Sequence, residues 1–144
     1  MKIKVVNNSK NKLPKYTREG DSGLDLRADL DAPLWIIPGN RAVIPTGIHM
    51  EIPKGYEGQV RGRSGLAIRH GIGIVNGLGT IDSNYVGDIG VILINHGEKA
   101  FKVENGDRIA QLVIAPVETV ELEEVNVLED TIRGSEGYGS SGVE

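Results

Sequence analysis

Apolar and polar residues alternate with a period of two in several short stretches of the chain. In "GIHMEIP" (47 to 53), Ile48, Met50 and Ile52 stand against His49 and Glu51, the signature of a strand with one buried face. "FKVEN" (101 to 105) and "VEL" (120 to 122) repeat the pattern. "IGVILIN" (89 to 95) is a continuous β-branched run, expected of a strand buried on both faces. Turn pairs punctuate these runs: Pro38-Gly39, Pro53 with Gly55, Asn76-Gly77, His96-Gly97 and Asn105-Gly106. Only "SGLAIRHG" (64 to 71) reads as a helix, about two turns opened by Ser64 as N-cap. Many short strands with regular turns predict an all-β barrel or sandwich.

The chain has 144 residues, no internal repeat and no linker, so one domain is expected. A chain of this size buries about 68–70% of the surface its unfolded form exposes, enough for a core without staples. The absence of cysteine excludes disulfides and thiolate chemistry. The opening "MKIKVVNNSK" has no apolar stretch of signal-peptide length, and no segment approaches a membrane span. A cytoplasmic protein without a membrane partner is expected. A net charge of −4 and a pI near 5.4 speak against nucleic acid as a partner. The charge is uneven: Lys2, Lys4, Lys10, Lys12, Lys15 and Arg18 precede the first acid, whereas residues 118 to 136 hold seven acids and one arginine. These are either two solvated surfaces or ends that attract each other, within or between chains.

Three segments carry candidate chemistry. Asp82 follows the Gly-Leu-Gly-Thr-Ile approach and precedes Tyr85, which puts a carboxylate and a ring at one strand end where glycines admit a ligand. Asp25 and Asp107 are the other aspartates considered, and a turn or ion-pair role is the ordinary reading of such residues. "RGRSGLA" (61 to 67) runs Arg61, Arg63 and Ser64 into the predicted helix. That is either an anion site on free amides or a capped helix with surface arginines. "RGSEGYGSSG" (133 to 142) carries Arg133 and Tyr138 in a glycine-rich stretch that is costly to order. It lacks the lysine of a Walker loop, and the histidines at 49, 70 and 96 lack zinc-ligand spacing. "DSG" (21 to 23) matches the aspartic-protease triplet, but its lead-in "TREG" is polar rather than an apolar strand.

Taken together, "SGLDLRA" (22 to 28), "PTGIHMEIPKGY" (45 to 56), "GRSGLA" (62 to 67), "GTIDSNYVGDI" (79 to 89), "GDRIAQLVI" (106 to 114) and "RGSEGYGSSG" resemble, in order, the trimeric dUTPase family. The resemblance implies a distorted jelly-roll-like β-barrel with one short helix. It implies a homotrimer whose C-terminal arm is exchanged between subunits, with a barrel domain over residues 1 to 132 and an arm over 133 to 144. It implies Mg2+-assisted hydrolysis of dUTP to dUMP and diphosphate, which limits uracil in DNA and supplies dUMP for thymidylate synthesis.

Residue roles follow from the same resemblance. Asp82 activates water; an ordinary aspartate, with a pKa of about 3.9, is ionised at neutral pH and so able to take a proton. Tyr85 carries the deoxyribose and leaves no room for a 2′-hydroxyl. Arg63, Ser64, Gly65 and Gln111 contact phosphates, with Arg108 in support, and Asp25 reaches Mg2+ through water. Asn76 and the backbone of the hairpin through Gly79, Thr80 and Ile81 read uracil, with Gly90 beside them. Arg133 and Tyr138, with Gly139 and Ser140, close the arm over phosphate and base. The chain departs from the family pattern at Gly62 and Leu78, where proline is usual, at Tyr138, usually Phe, and at Ser141, usually Thr. The related dCTP deaminases, and a non-catalytic nucleotide-sensing protein on the same scaffold, are the competing readings.

Overall fold

The computed structural model describes residues 1 to 135 and residue 137. Its elements are β1 (Lys4–Asn7), β2 (Leu24–Arg27), β3 (Leu34–Ile36), β4 (Arg41–Ile44), β5 (Ile48–Glu51), β6 (Tyr56–Arg61), α1 (Ser64–His70), β7 (Ile72–Ile74), β8 (Gly79–Ile81), β9 (Val91–Asn95), β10 (Phe101–Val103) and β11 (Arg108–Pro116). Every pairing is antiparallel. The strands form four small sheets ordered β1-β5, β10-β3, β2-β11-β6-β8 and β4-β9-β7. They wrap one apolar core, giving the distorted all-β barrel with a single short helix that the sequence predicts. Among the described residues no helix is long and apolar enough to cross a membrane.

The core comes from the inward positions of these strands. Leu26, Ile36, Ile44, Ile72, Leu93, Val103 and Leu112 are all fully buried, each worth about 1.5–3 kcal/mol relative to exposure. β5 alternates as expected, with Ile48 and Met50 inside and Glu51 outside. β9 differs from the two-sided burial expected of it. Val91, Leu93 and Asn95 are buried, while Ile92 and Ile94 are only half-covered, because its second face looks outward between β4 and β7. Asn95 is one of two buried polar residues among those described. Its amide donates to the carbonyls of Ile36 and Lys99 at 2.8 Å and its oxygen accepts from Gly97 N–H. Three bonds of that kind offset its desolvation.

The turn glycines behave as turn chemistry demands at Gly39, Gly55, Gly77 and Gly106, all with positive φ. Gly97 does not share that conformation, though a Cβ there would lie 2.3 Å from the carbonyl oxygen of His70. Two further expectations of local structure fail here. Residues 120 to 122 form no strand: Val120 and Leu122 are 73% and 90% exposed, and an alternating pattern without a sheet edge to pair with remains irregular. Ser64 is not the helix cap but the first helical residue; the cap is Arg63, extended at φ −99° and ψ 126°, with no side-chain cap bond. The carbonyl of Arg63 accepts from the N–H groups of Leu66 and Ala67, so the turn closes without the serine hydroxyl.

Candidate active site

Strand β11 pairs with β2 on one side and β6 on the other, and its register sets the first half of the site. Gln111 faces Asp25 across one edge and Arg61 across the other. Residues three apart on a regular strand point to opposite faces, yet Arg108 and Gln111 both belong to the outer face. A register shift between Arg108 and Ala110 inserts one extra residue, a β-bulge that re-aims the side chain. Arg108 then donates to Asp25 Oδ2 at 3.1 Å. Arg63 Nε reaches the other oxygen of Asp25 at 3.2 Å, and its Nη1 donates to the carbonyl of Arg108 at 2.9 Å. The Asp25 carboxylate is thus held between two guanidinium groups with its side chain 22% exposed.

Gln111 completes this cluster. Its Nε2 donates to the carbonyl of Gly62 at 3.1 Å, tying β11 to the loop that carries Arg63, Ser64 and Gly65. Gly23 makes room for it, since a Cβ there would lie 2.5 Å from Gln111 Oε1. Asp25, Arg63, Arg108 and Gln111, predicted from separate segments, therefore meet on one surface. Asp107 instead accepts from Glu104 N–H in its own turn, the ordinary role for such an aspartate.

The second half lies at the other end of the sheet. Thr80, Ile81, Asp82, Tyr85 and Gly90, with Asp88, line a cleft of about 150 Å³. Asp82 is exposed, and among the described residues its carboxylate has no hydrogen-bond or ion-pair partner. Its backbone carbonyl accepts from Tyr85 N–H at 3.0 Å, closing a turn that turns the phenol back toward the strand. The Tyr85 hydroxyl donates to the carbonyl of Asp88 at 2.8 Å, while Asp88 also accepts from Thr46 Oγ1. Gly87 lies under the ring: a Cβ there would stand 2.5 Å from the hydroxyl oxygen and 2.6 Å from Cζ. Asp88 and Gly87 were not singled out in the sequence, although both lie inside the "GTIDSNYVGDI" block; nothing distinguishes a bracing glycine from a turn glycine before the ring is placed.

Asn76 sits in the turn before β8, where Gly77 N–H donates to the Ile74 carbonyl. This turn is not the hairpin expected of it. β7 pairs with β9 and β8 pairs with β6, so the turn crosses between two sheets. Gly79 is buried against Val60, with the Asn76 amide nearby. Arg133 is in the exposed turn of residues 132 to 135, beyond β11. Tyr138, Gly139 and Ser140 lie outside the described residues.

The two halves are apart on one chain. β6 and β8 run antiparallel, with Gly58 facing Ile81 and Val60 facing Gly79. Arg63 follows the end of β6 at Arg61, whereas Asp82 follows β8 beside the start of β6, so the two residues lie at opposite ends of this pair. No hydrogen bond or ion pair among the described residues links them.

The order and spacing of these segments are those of a known family model, which matches residues 9 to 142 under the description dUTPase. The chain belongs to the dUTPase family. It is 55% identical over 144 residues to the deoxyuridine 5'-triphosphate nucleotidohydrolase of Gloeothece citriformis, covering 99% of this chain and 98% of that protein. It is 55% identical to the enzyme of the same name from an Anaeromyxobacter species over 90% of this chain and 87% of that one. Among solved structures, a variant of the dUTPase of Staphylococcus bacteriophage 80alpha with dUpNHpp superimposes with a TM-score of 0.90 at 30% identity, over 99% of both chains. A variant dUTPase of phage phi11 of S. aureus, described with a structural Mg(II) ion, gives a TM-score of 0.80 at 25% identity, over 88% of this chain and 98% of that one.

Among the described residues no group of three His, Cys, Asp or Glu side chains converges. Asp25 offers one carboxylate already shared by two arginines. That donor set fits a hydrated Mg2+ carried by substrate phosphates, which keeps its waters and takes few protein ligands. It does not fit direct, multidentate ligation.

Proposed function

We propose that the chain hydrolyses dUTP to dUMP and diphosphate at sites completed between three copies of itself. The observation that carries this reading is the unpartnered carboxylate of Asp82 beside a braced tyrosine, in a chain of the dUTPase family. The proton-accepting group must be free and the sugar platform fixed, and both conditions are met at one cleft.

In this mechanism Arg63, Ser64, Gly65 and Gln111 hold the phosphates, and Arg108 keeps Asp25 and Arg63 in place. The uracil edge lies against Asn76, Gly79, Thr80 and Ile81, with Gly90 at the cleft wall. A mismatched base edge, as in cytosine, leaves buried polar groups unpaired at roughly 1–3 kcal/mol each. Tyr85 packs on the deoxyribose, and its braced position rejects a 2′-hydroxyl. Asp82 accepts a proton from water as the oxygen bonds to phosphorus; the phosphoanhydride bond breaks and diphosphate leaves with its electron pair. Positioning dominates such a transfer. Asp25 would hold a hydrated Mg2+ beside the phosphates, where the ion would neutralise part of their charge.

The trimer is proposed on two grounds. Asp82 and Arg63 lie at opposite ends of the antiparallel β6–β8 pair, an arrangement suited to a site shared between chains. Val120, Leu122, Val127, Leu128 and Ile132 are all more than 70% exposed, in a segment that leaves the barrel after β11 and is suited to cover a neighbour. The arm of residues 133 to 144, with Arg133, Tyr138, Gly139 and Ser140, closes the site in this reading, and the cytoplasm is its place of action. The test is diphosphate release from dUTP against dTTP, dCTP and UTP, with and without Mg2+, beside an Asp82→Asn control. Turnover confined to dUTP and lost in the control supports the reading. Equal turnover of dCTP, or none of dUTP, overturns it.

A further inference from the structure

A cleft of about 470 Å³ lies alongside the phosphate half-site and shares two of its residues. It is lined by Lys10, Lys12, Lys15, Arg27 and Arg108, with Asp25 as its one carboxylate. That is five cations in a chain of net charge −4. Asp25 is already matched by Arg63 and Arg108, so the wall facing solvent is positive. Lys12 and Lys15 have no hydrogen-bond or ion-pair partner among the described residues. Among the described residues no aromatic ring lines the cleft, so these offer nothing for a base to stack on. Its chemistry suits a compact, multiply charged anion.

The segment is tied down at residues 10 and 11, and Lys12 and Lys15 follow it as exposed side chains. Asn11 donates to the carbonyl of Ala28 at 2.9 Å, just past the end of β2. Asn7 donates to the Asn11 carbonyl at 2.8 Å, and Lys10 N–H donates to Asp29. Three clamps thus fix residues 10 and 11 beside the edge of β2, at the end where Arg108 and Asp25 sit. Lys10 is paired with Asp31, Arg108 with Asp25, and Arg27 donates to the carbonyl of Gly106, so Lys12 and Lys15 are the cations left to meet an incoming anion.

We infer that this cleft is a second anion subsite, in which Lys12, Lys15 and Arg27 receive the diphosphate group. It rests on the reaction proposed above, since that reaction makes diphosphate next to it, but its test does not. Inorganic diphosphate is titrated calorimetrically into the full chain carrying Asp82→Asn, and into the same chain with Lys12→Gln and Lys15→Gln added. Lys54→Gln, an exposed lysine outside the cleft, is the control. The double variant is expected to bind diphosphate about tenfold more weakly, with a shallower salt dependence, while the control is unchanged. Unchanged affinity in the double variant overturns the inference. So does a change in assembly by sedimentation without a change in affinity, which assigns the cleft to the acidic segment of another copy. Lysine-dependent binding of diphosphate, together with a parent chain that leaves dUTP intact, supports the subsite and overturns the proposed reaction instead.

Discussion

Arg108 and Gln111 stand three residues apart on β11 and yet serve the same outer face, because the bulge between Arg108 and Ala110 adds one residue to the strand. Without it, Arg108 would turn toward the core and Asp25 would keep one guanidinium partner instead of two. The bulge is therefore the local cause of the paired arginines around Asp25. Arg108→Gln is expected to lower stability by about 0.5–1 kcal/mol, the modest value of a half-exposed ion pair. It should also raise KM for dUTP several-fold more than it lowers kcat. Urea denaturation and steady-state kinetics check both.

Among the described residues the Asp82 carboxylate has no partner to lose. Asp82→Asn should leave stability within about 0.5 kcal/mol of the parent and lower diphosphate release about 10²–10⁴-fold. Thermal denaturation of the variant beside a release assay separates a chemical role from a structural one.

The distance between the half-sites predicts complementation. Asp82→Asn and Arg63→Ala chains should each be nearly inactive. Refolded together in equal amounts, they should recover activity in about a quarter of the sites if, as proposed, each site draws one half from each of two random neighbours. A mixture as inactive as its components would mean that one chain carries both halves of a site.

Gly87 fixes the ring of Tyr85 from below. Gly87→Ala brings a methyl group within 2.6 Å of ring atoms, so the phenol must lift and its bond to the Asp88 carbonyl must break. The expected result is a loss of about tenfold in preference for dUTP over UTP, since excluding one hydroxyl by shape depends on a rigid wall. The ratio of kcat/KM for the two nucleotides measures it. Tyr85→Phe, which keeps the ring but drops the hydrogen bond, should lose less.

Lys10 and Asp31 form an exposed ion pair. The hydrogen bond and charge of Lys10 pull the Asp31 carboxyl below its ordinary value, and the same hydrogen bond raises Lys10. Stabilisation by a depressed carboxyl is present above its unfolded pKa and is lost as pH falls through the folded one. The raised lysine contributes below its unfolded pKa and loses that contribution as alkaline pH passes through the folded value. Both residues are fully solvated, so Asp31→Asn should leave the acid limb of a melting-temperature profile almost unmoved at 0.15 M salt.

The sequence made the strands legible where period-2 alternation met a partner, as at Ile48 and Met50. It misled at Val120 and Leu122, where the same alternation has no sheet edge. The difference is non-local: β5 finds β1 across more than forty residues, and no local pattern records that. The aspartates and arginines of the candidate site were identifiable as blocks in order. Their mutual geometry was not, because it depends on a one-residue bulge in β11 and on a glycine under a ring. Ser64 was misjudged as a cap for a similar reason, since the backbone of Arg63 takes that position while its side chain turns to Asp25.

In the proposed assembly, with Arg63 and Asp82 at opposite ends of the sheet, a newly made polypeptide holds only unmatched fragments of the site. Turnover per chain should then fall on dilution below the assembly constant, long before any strand melts. Abundance thereby becomes a control on catalysis, and a destabilised contact between copies would silence the enzyme while every barrel stayed folded.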